Sequence, residues 1–154
     1  MKIEEKISRL LQARNARMGT AESCTGGRIA SRITSIAGSS AYFTGGVVSY
    51  CNEVKKNVLG VRADDLELFG AVSEPVVRQM AEGAVRVLGC DCAVATSGVA
   101  GPGGGSPEKP VGTVWMAATV EGKTRAQCLH LSGDRASIIE QSATAVLELL
   151  AQML

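Results

Sequence analysis

With 154 residues, the chain is long enough for one domain with a sizeable core. Hydrophobic residues at 45% and charged residues at 20% exclude a disordered chain. A formal net charge of +1 excludes a global pull toward nucleic acid or anionic membrane, and 3% aromatics argues against a base-stacking surface.

Ile3, Ile7, Leu10 and Leu11 fall at i, i+4, i+7 and i+8, so residues 2–15 read as an amphipathic helix. The N-terminus is charged, without the apolar centre of a signal peptide, and no segment reaches transmembrane length uninterrupted. A short strand over 17–22 leads into Ser23, and residues 28–35 read as a helix. Residues 42–50 read as a buried strand, because Val47, Val48 and Tyr50 are strand formers. Asn52 reads as the cap of a short helix stopped by Gly60. Ser73 reads as the cap of another, with Glu74 and Pro75 in its first turn and Gly89 as its stop. Residues 92–96 form an apolar strand. A loop over 98–112 follows, holding six of the eighteen glycines and three of the four prolines, so it is shaped in advance despite the glycines. Residues 111–120 and 124–131 make a hairpin around Glu121-Gly122-Lys123, and Asp134 caps a last helix over 135–154. Helices alternate with strands and one hairpin comes late. The fold class expected is α/β: a three-layer α/β/α sandwich with a mixed sheet, one domain over 1–154.

The run Thr20-Ala21-Glu22-Ser23-Cys24-Thr25-Gly26-Gly27 lies where a strand hands over to a helix N-terminus. Free backbone N–H groups and the helix dipole there favour negative charge. The junction is suited either to a phosphate or to a nucleophile beside its own oxyanion donors. A serine needs a base to take its proton. His130, the single histidine, falls inside a predicted strand, so a Ser–His pair is not indicated. Lys55 is the alternative, provided its charged form is disfavoured by burial, by the first turn of its helix and by the like charge of Lys56. Cys24 is a rival nucleophile, since a thiolate at a helix N-terminus can attack as well. Arg135, at a helix start after Ser132-Gly133-Asp134, is suited to pairing with a phosphate. The five cysteines are odd in number and without a CxxC pair, which predicts free thiols in a reducing cytoplasm rather than a zinc site.

Three other motifs lack their contexts. Gly122-Lys123-Thr124 sits in a hairpin turn, with Ala117 where a phosphate loop needs glycine. Gly101-Pro102-Gly103-Gly104-Gly105-Ser106 precedes a strand, not a helix. Ser106-Pro107-Glu108-Lys109 carries flanking prolines that oppose the helix an SxxK pair needs.

The motifs taken together resemble the CinA C-terminal domain family: Thr20 to Gly27, Gly38-Ser39-Ser40-Ala41-Tyr42-Phe43, Ser49-Tyr50-Cys51-Asn52-Glu53-Val54-Lys55, Gly70-Ala71-Val72-Ser73-Glu74, Ser97-Gly98-Val99-Ala100-Gly101-Pro102-Gly103-Gly104-Gly105, Glu108-Lys109-Pro110-Val111-Gly112-Thr113-Val114 and Gly133-Asp134-Arg135. They run in order over nearly the whole chain. The resemblance implies a fold similar to the anticodon-binding domain and a homo-oligomer. It implies an amidohydrolase that converts nicotinamide mononucleotide and water to nicotinic acid mononucleotide and ammonia, without metal or other cofactor, and without membrane or nucleic-acid partners. It implies Ser23 as nucleophile, Lys55 as base and Tyr50 as a third catalytic residue. For substrate binding it points to Thr25, Gly26, Gly27, Ser97, Gly98 and Arg135. Cys51 stands where relatives often have serine. A non-catalytic nucleotide-binding or competence-related module is the alternative reading; it would keep the glycine loop and Arg135 without needing Ser23 and Lys55 together.

Overall fold

The computed structural model describes residues 1–154, from which five strands and six α-helices are built. The strands are β1 (Met18–Glu22), β2 (Phe43–Val48), β3 (Cys92–Gly98), β4 (Thr113–Val120) and β5 (Lys123–His130). The helices are α1 (Ile3–Ala13), α2 (Arg28–Thr34), α3 (Asn52–Asn57), α4 (Ala63–Phe69), α5 (Glu74–Leu88) and α6 (Arg135–Met153), with a 3-10 turn at Ser39–Ala41. The sheet order is β2-β1-β3-β4-β5, in which β1 pairs parallel with β2 and β3 while β4 and β5 run antiparallel. The expected mixed sheet is present.

Alternation in β3 explains the layers. Cys92 and Val94 face a core shared with Ile7 and Leu11 of α1, Ile29 and Ile33 of α2, and Val146, Leu147 and Leu150 of α6. Ala93 and Ala95 face the other way, against Val76, Val77, Met80, Ala81 and Ala84 of α5. Small side chains on that second face let α5 lie close. At Gly83 an added Cβ would stand 2.0 Å from the Leu59 carbonyl oxygen, so only glycine fits. Each fully buried Ile, Leu or Val contributes about 1.5–3 kcal/mol. The half-exposed Arg28–Glu140 pair that also joins α2 to α6 is worth at most about 1 kcal/mol, so apolar packing sets the layer spacing.

Three local expectations are corrected. Residues 63–69, for which the sequence pattern predicts no element, form α4, a seven-residue helix with no fully buried residue and only Leu66 packed on the core, too short a stripe to reveal it. Asn52 does not cap α3: Cys51 holds the cap position, and Asn52 is the first helical residue. Ser73 does hold the cap position of α5, but its hydroxyl donates to the Gly70 carbonyl instead of accepting from the helix. Asp134 caps as expected, accepting from the Ser137 N–H at 2.9 Å. The hairpin closes in two residues, Glu121 and Gly122, both at positive φ, the geometry that matches strand twist. All five cysteines are unpaired, and no helix is long and apolar enough to cross a membrane.

Candidate active site

The carboxyl ends of β1, β2 and β3 point the same way, and the segments that follow them meet around a cavity of about 330 Å³. Such crevices beyond parallel strand ends are where open α/β sheets hold ligands, and the size suits a small molecule. Register brings the parts together. Glu22 pairs with both Val48 and Thr96, so Ser23, Ser49 and Ser97 are the next residues on three adjacent strands. The Ser23 N–H continues the ladder by donating to the Thr96 carbonyl at 3.0 Å.

Lys55 lies 32 positions from Ser23 in sequence, yet its Nζ stands 3.0 Å from Ser23 Oγ. Only 1% of Lys55 is exposed, and burial pushes its pKa below the ordinary 10.5. Neighbouring Cys51 and Cys24 act weakly in the opposite direction. The expected help from Lys56 is absent, because Lys56 is exposed and lies 3.8 Å from Glu53. Nor is the helix dipole a large term in a helix of only six residues. Nζ also meets the Ser49 carbonyl at 2.8 Å and the Tyr50 carbonyl at 3.5 Å. A neutral amine has two N–H bonds and one lone pair. With the two N–H bonds turned to those carbonyls, the lone pair is left for the Ser23 hydroxyl proton.

Cys24 lies next to the serine but is buried, and burial pushes its thiol up to about 11. It packs with Ala100, Val114 and Ile138. At neutral pH it is a thiol, not the thiolate that attacks carbonyls.

Thr25, Gly26 and Gly27 do not line the cavity, contrary to expectation. The reason is Glu22. Its fully buried carboxylate accepts from Thr25 Oγ1 (2.6 Å) and from the N–H groups of Gly27 (3.1 Å), Ile29 (2.9 Å) and Ala30 (3.0 Å). The negative charge expected at this helix start is therefore the protein's own. Among the turn residues, the N–H groups of Cys24 and Thr25 alone donate to no protein acceptor.

Ser97 lines the cavity with its hydroxyl free of protein partners, and Gly98 follows it. A Cβ on Gly98 would stand 2.7 Å from the Thr113 carbonyl oxygen, so β4 excludes any side chain there. The loop after β3 leaves the N–H groups of Ala100, Gly101, Gly103 and Gly104 unbonded at the cavity wall. Arg135, at the first turn of α6, reaches over the mouth: Nη1 donates to the Gly101 carbonyl at 2.7 Å and Nη2 to Tyr50 Oη at 3.0 Å. Tyr50 is thus at the rim, 60% exposed, and meets Lys55 only through its main chain. Sequence reasoning missed Glu22, Ser49 and the cavity-lining Asn52, Ala71 and Val72. Asn52 looked like a cap, and a strand-end glutamate carries no local signal that it will bond a helix several residues onward.

Fold and site define an α/β domain in which a buried serine–lysine pair, a glycine loop and an arginine line one crevice. The whole chain, residues 1–154, matches the CinA C-terminal domain, and the protein belongs to that family. It is 52% identical over 155 residues to the nicotinamide-nucleotide amidohydrolase PncC of Escherichia coli K12, covering 99% of this chain and 93% of that one. It is 48% identical to a CinA-like protein of Mycobacterium marinum, of which it spans 36%. Among solved structures, the competence damage-inducible protein A of Klebsiella pneumoniae superposes with a TM-score of 0.94 at 39% identity, covering 97% of this chain and 93% of that one. The competence/damage inducible protein CihA of Agrobacterium tumefaciens does so at 0.94 and 41%, covering 98% and 94%.

Proposed function

We propose that this protein hydrolyses the carboxamide of nicotinamide mononucleotide, giving nicotinic acid mononucleotide and ammonia, through a Ser23–Lys55 dyad. The observation that carries the reading is a lysine amine, 1% exposed, at 3.0 Å from a serine hydroxyl in a cavity. The name of the Escherichia coli relative supplies the substrate.

Neutral Lys55 takes the Ser23 proton as Oγ attacks the carboxamide carbon, and the carbonyl π pair moves onto oxygen. The unbonded N–H groups of Cys24 and Thr25 are the donors for that oxyanion, each worth about 3 kcal/mol when such a donor is removed. Protonated Lys55, steadied by the Ser49 and Tyr50 carbonyls, passes the proton to the departing nitrogen, which leaves as ammonia. Water then adds to the acyl-enzyme, Lys55 receiving its proton and returning it to Ser23 Oγ as the acid departs. Ser97 holds the amide, while Arg135, Tyr50 and the free N–H groups of the glycine loop hold the phosphorylated end. Thr25, Gly26 and Gly27 act through the turn, not by side-chain contact with substrate. No metal or other cofactor enters the scheme. The unpaired thiols support a cytoplasmic setting, and a homo-oligomer, as the family resemblance implies, is part of the reading, which light scattering on the purified protein would test.

The test is incubation with nicotinamide mononucleotide, following ammonia and the deamidated nucleotide, beside nicotinamide riboside, which lacks the phosphate. Ammonia release with preference for the mononucleotide is the expected result. Tight binding without ammonia release would leave a nucleotide-binding module instead.

A further inference from the structure

Glu22 is 0% exposed and forms no ion pair, an expensive state for a carboxylate unless donors surround it. Here four donors do, three on Oε1 and one on Oε2. Ordinary helix capping would use a serine or aspartate at the cap position itself. Glu22 instead reaches forward from the strand across the whole turn that carries Ser23. Thr25 Oγ1, one of its donors, is also 2.8 Å from Thr96 Oγ1, which ties the turn to β3 as well. The main chain of Glu22 points to the other half of the site. Its carbonyl accepts from Ser49 N at 2.7 Å and Ser49 Oγ at 3.2 Å, and the Ser49 carbonyl is the nearer of the two that meet Lys55 Nζ.

We infer that Glu22 is the positioning residue of the dyad. Its carboxylate fixes the turn that presents Ser23, and its carbonyl, through Ser49, fixes the acceptor that aims Lys55. The inference rests on Ser23 and Lys55 acting together as proposed above. It adds that the carboxylate, which touches no cavity wall, controls the rate of acylation and not substrate affinity. Replacing it by an amide puts an N–H against one of the donors now bonded and removes the charge that strengthens the others. The serine turn then loosens against a lysine that stays held, while Arg135 and the glycine loop are untouched.

The experiment compares wild type, Glu22→Gln, Thr25→Val and a Ser23→Ala blank. It measures steady-state hydrolysis of nicotinamide mononucleotide, the rate at which a fluorophosphonate probe labels Ser23 by intact mass, and thermal melting. Expected for Glu22→Gln is a fall of about 100-fold in kcat and in labelling rate, with KM within about 3-fold of wild type, the scale set by small misplacements of reacting groups. Thr25→Val, which deletes one donor and keeps the shape, should lose about 10-fold in both rates on the same grounds. A folded Glu22→Gln protein with wild-type kcat and labelling, or one whose KM rises at constant kcat, overturns the inference. If Glu22→Gln does not fold, Thr25→Val decides, and wild-type labelling there overturns it. Wild-type protein that is labelled at Ser23 but releases no ammonia refutes the proposed function alone, because the labelling comparison still tests Glu22. Absence of both labelling and turnover in wild type overturns both.

Discussion

Two glycine-bearing segments follow adjacent parallel strands, and they end in opposite states. After β1, residues 23–27 make a closed turn whose helix N–H groups are spent on Glu22. After β3, the loop leaves the N–H groups of Ala100, Gly101, Gly103 and Gly104, all residues that line the cavity, without a protein acceptor. Both read alike as glycine-rich segments beyond a strand end. Whether such a segment receives a ligand depends on whether the fold has already supplied an acceptor. Where it has, the turn is fixed and serves as a mount for a reacting group; where it has not, the donors are left for a substrate.

On this division, damage to the closed side should fall on kcat and damage to the open side on KM. Ser23→Ala and Lys55→Met should each lower turnover by roughly 10⁴-fold or more, as for other nucleophile–base units, with circular dichroism unchanged. Full activity in either would end the dyad proposal. Arg135→Ala should raise KM for the mononucleotide roughly 10- to 100-fold, the scale of a lost charged hydrogen bond, while leaving nicotinamide riboside hydrolysis nearly unaltered. An equal loss on both compounds would take Arg135 away from the phosphate and place it with the chemistry.

The pH profile offers a subtler measurement. Burial lowers the Lys55 pKa from 10.5, so the reactive neutral amine accumulates at lower pH than for a free lysine. kcat/KM should rise with pH and level off below 10.5, and a limb centred at or above that value would contradict a buried base. The linkage sign follows the same shift. Between the lowered pKa and 10.5 the unfolded chain holds a proton that the native chain has lost, so folding stability grows with rising pH there. Lys55→Met should abolish that gain, as read by denaturation across the alkaline range. The smallest effect belongs to Cys24→Ala, which should cost about 1 kcal/mol of stability for a trimmed buried side chain and keep most activity. Loss of turnover in it, with activity retained in Ser23→Ala, would exchange their roles.

Local pattern carried much of the architecture. Aliphatic spacing marked α1, Pro75 in a first turn marked α5, and Asp134 marked the start of α6, because each is decided within one or two turns of chain. α4 escaped because of its seven residues only Leu66 packs on the core, and that partly, too little for a periodic pattern to show. Asn52 was misplaced by one position, enough to turn a supposed cap into a cavity residue. Around the cavity, Ser23 and Ser97 at strand ends, Lys55 in α3 and Arg135 at the start of α6 were each singled out by residue type, and all four line it. For Lys55 the direction and one of its reasons, burial, hold, whereas the like charge of Lys56 faces outward beside Glu53 and adds nothing.

By itself the chain determined its family, its order of helices and strands, and which polar side chains stand where strands stop. Only the tertiary structure decided that an amine and a hydroxyl 32 positions apart would meet, and that Glu22 would claim the N–H groups that looked free. The reason is one of range. Periodicity and capping act between near neighbours, whereas competition for a donor, or loss of water around an amine, depends on what the register of parallel strands sets alongside it.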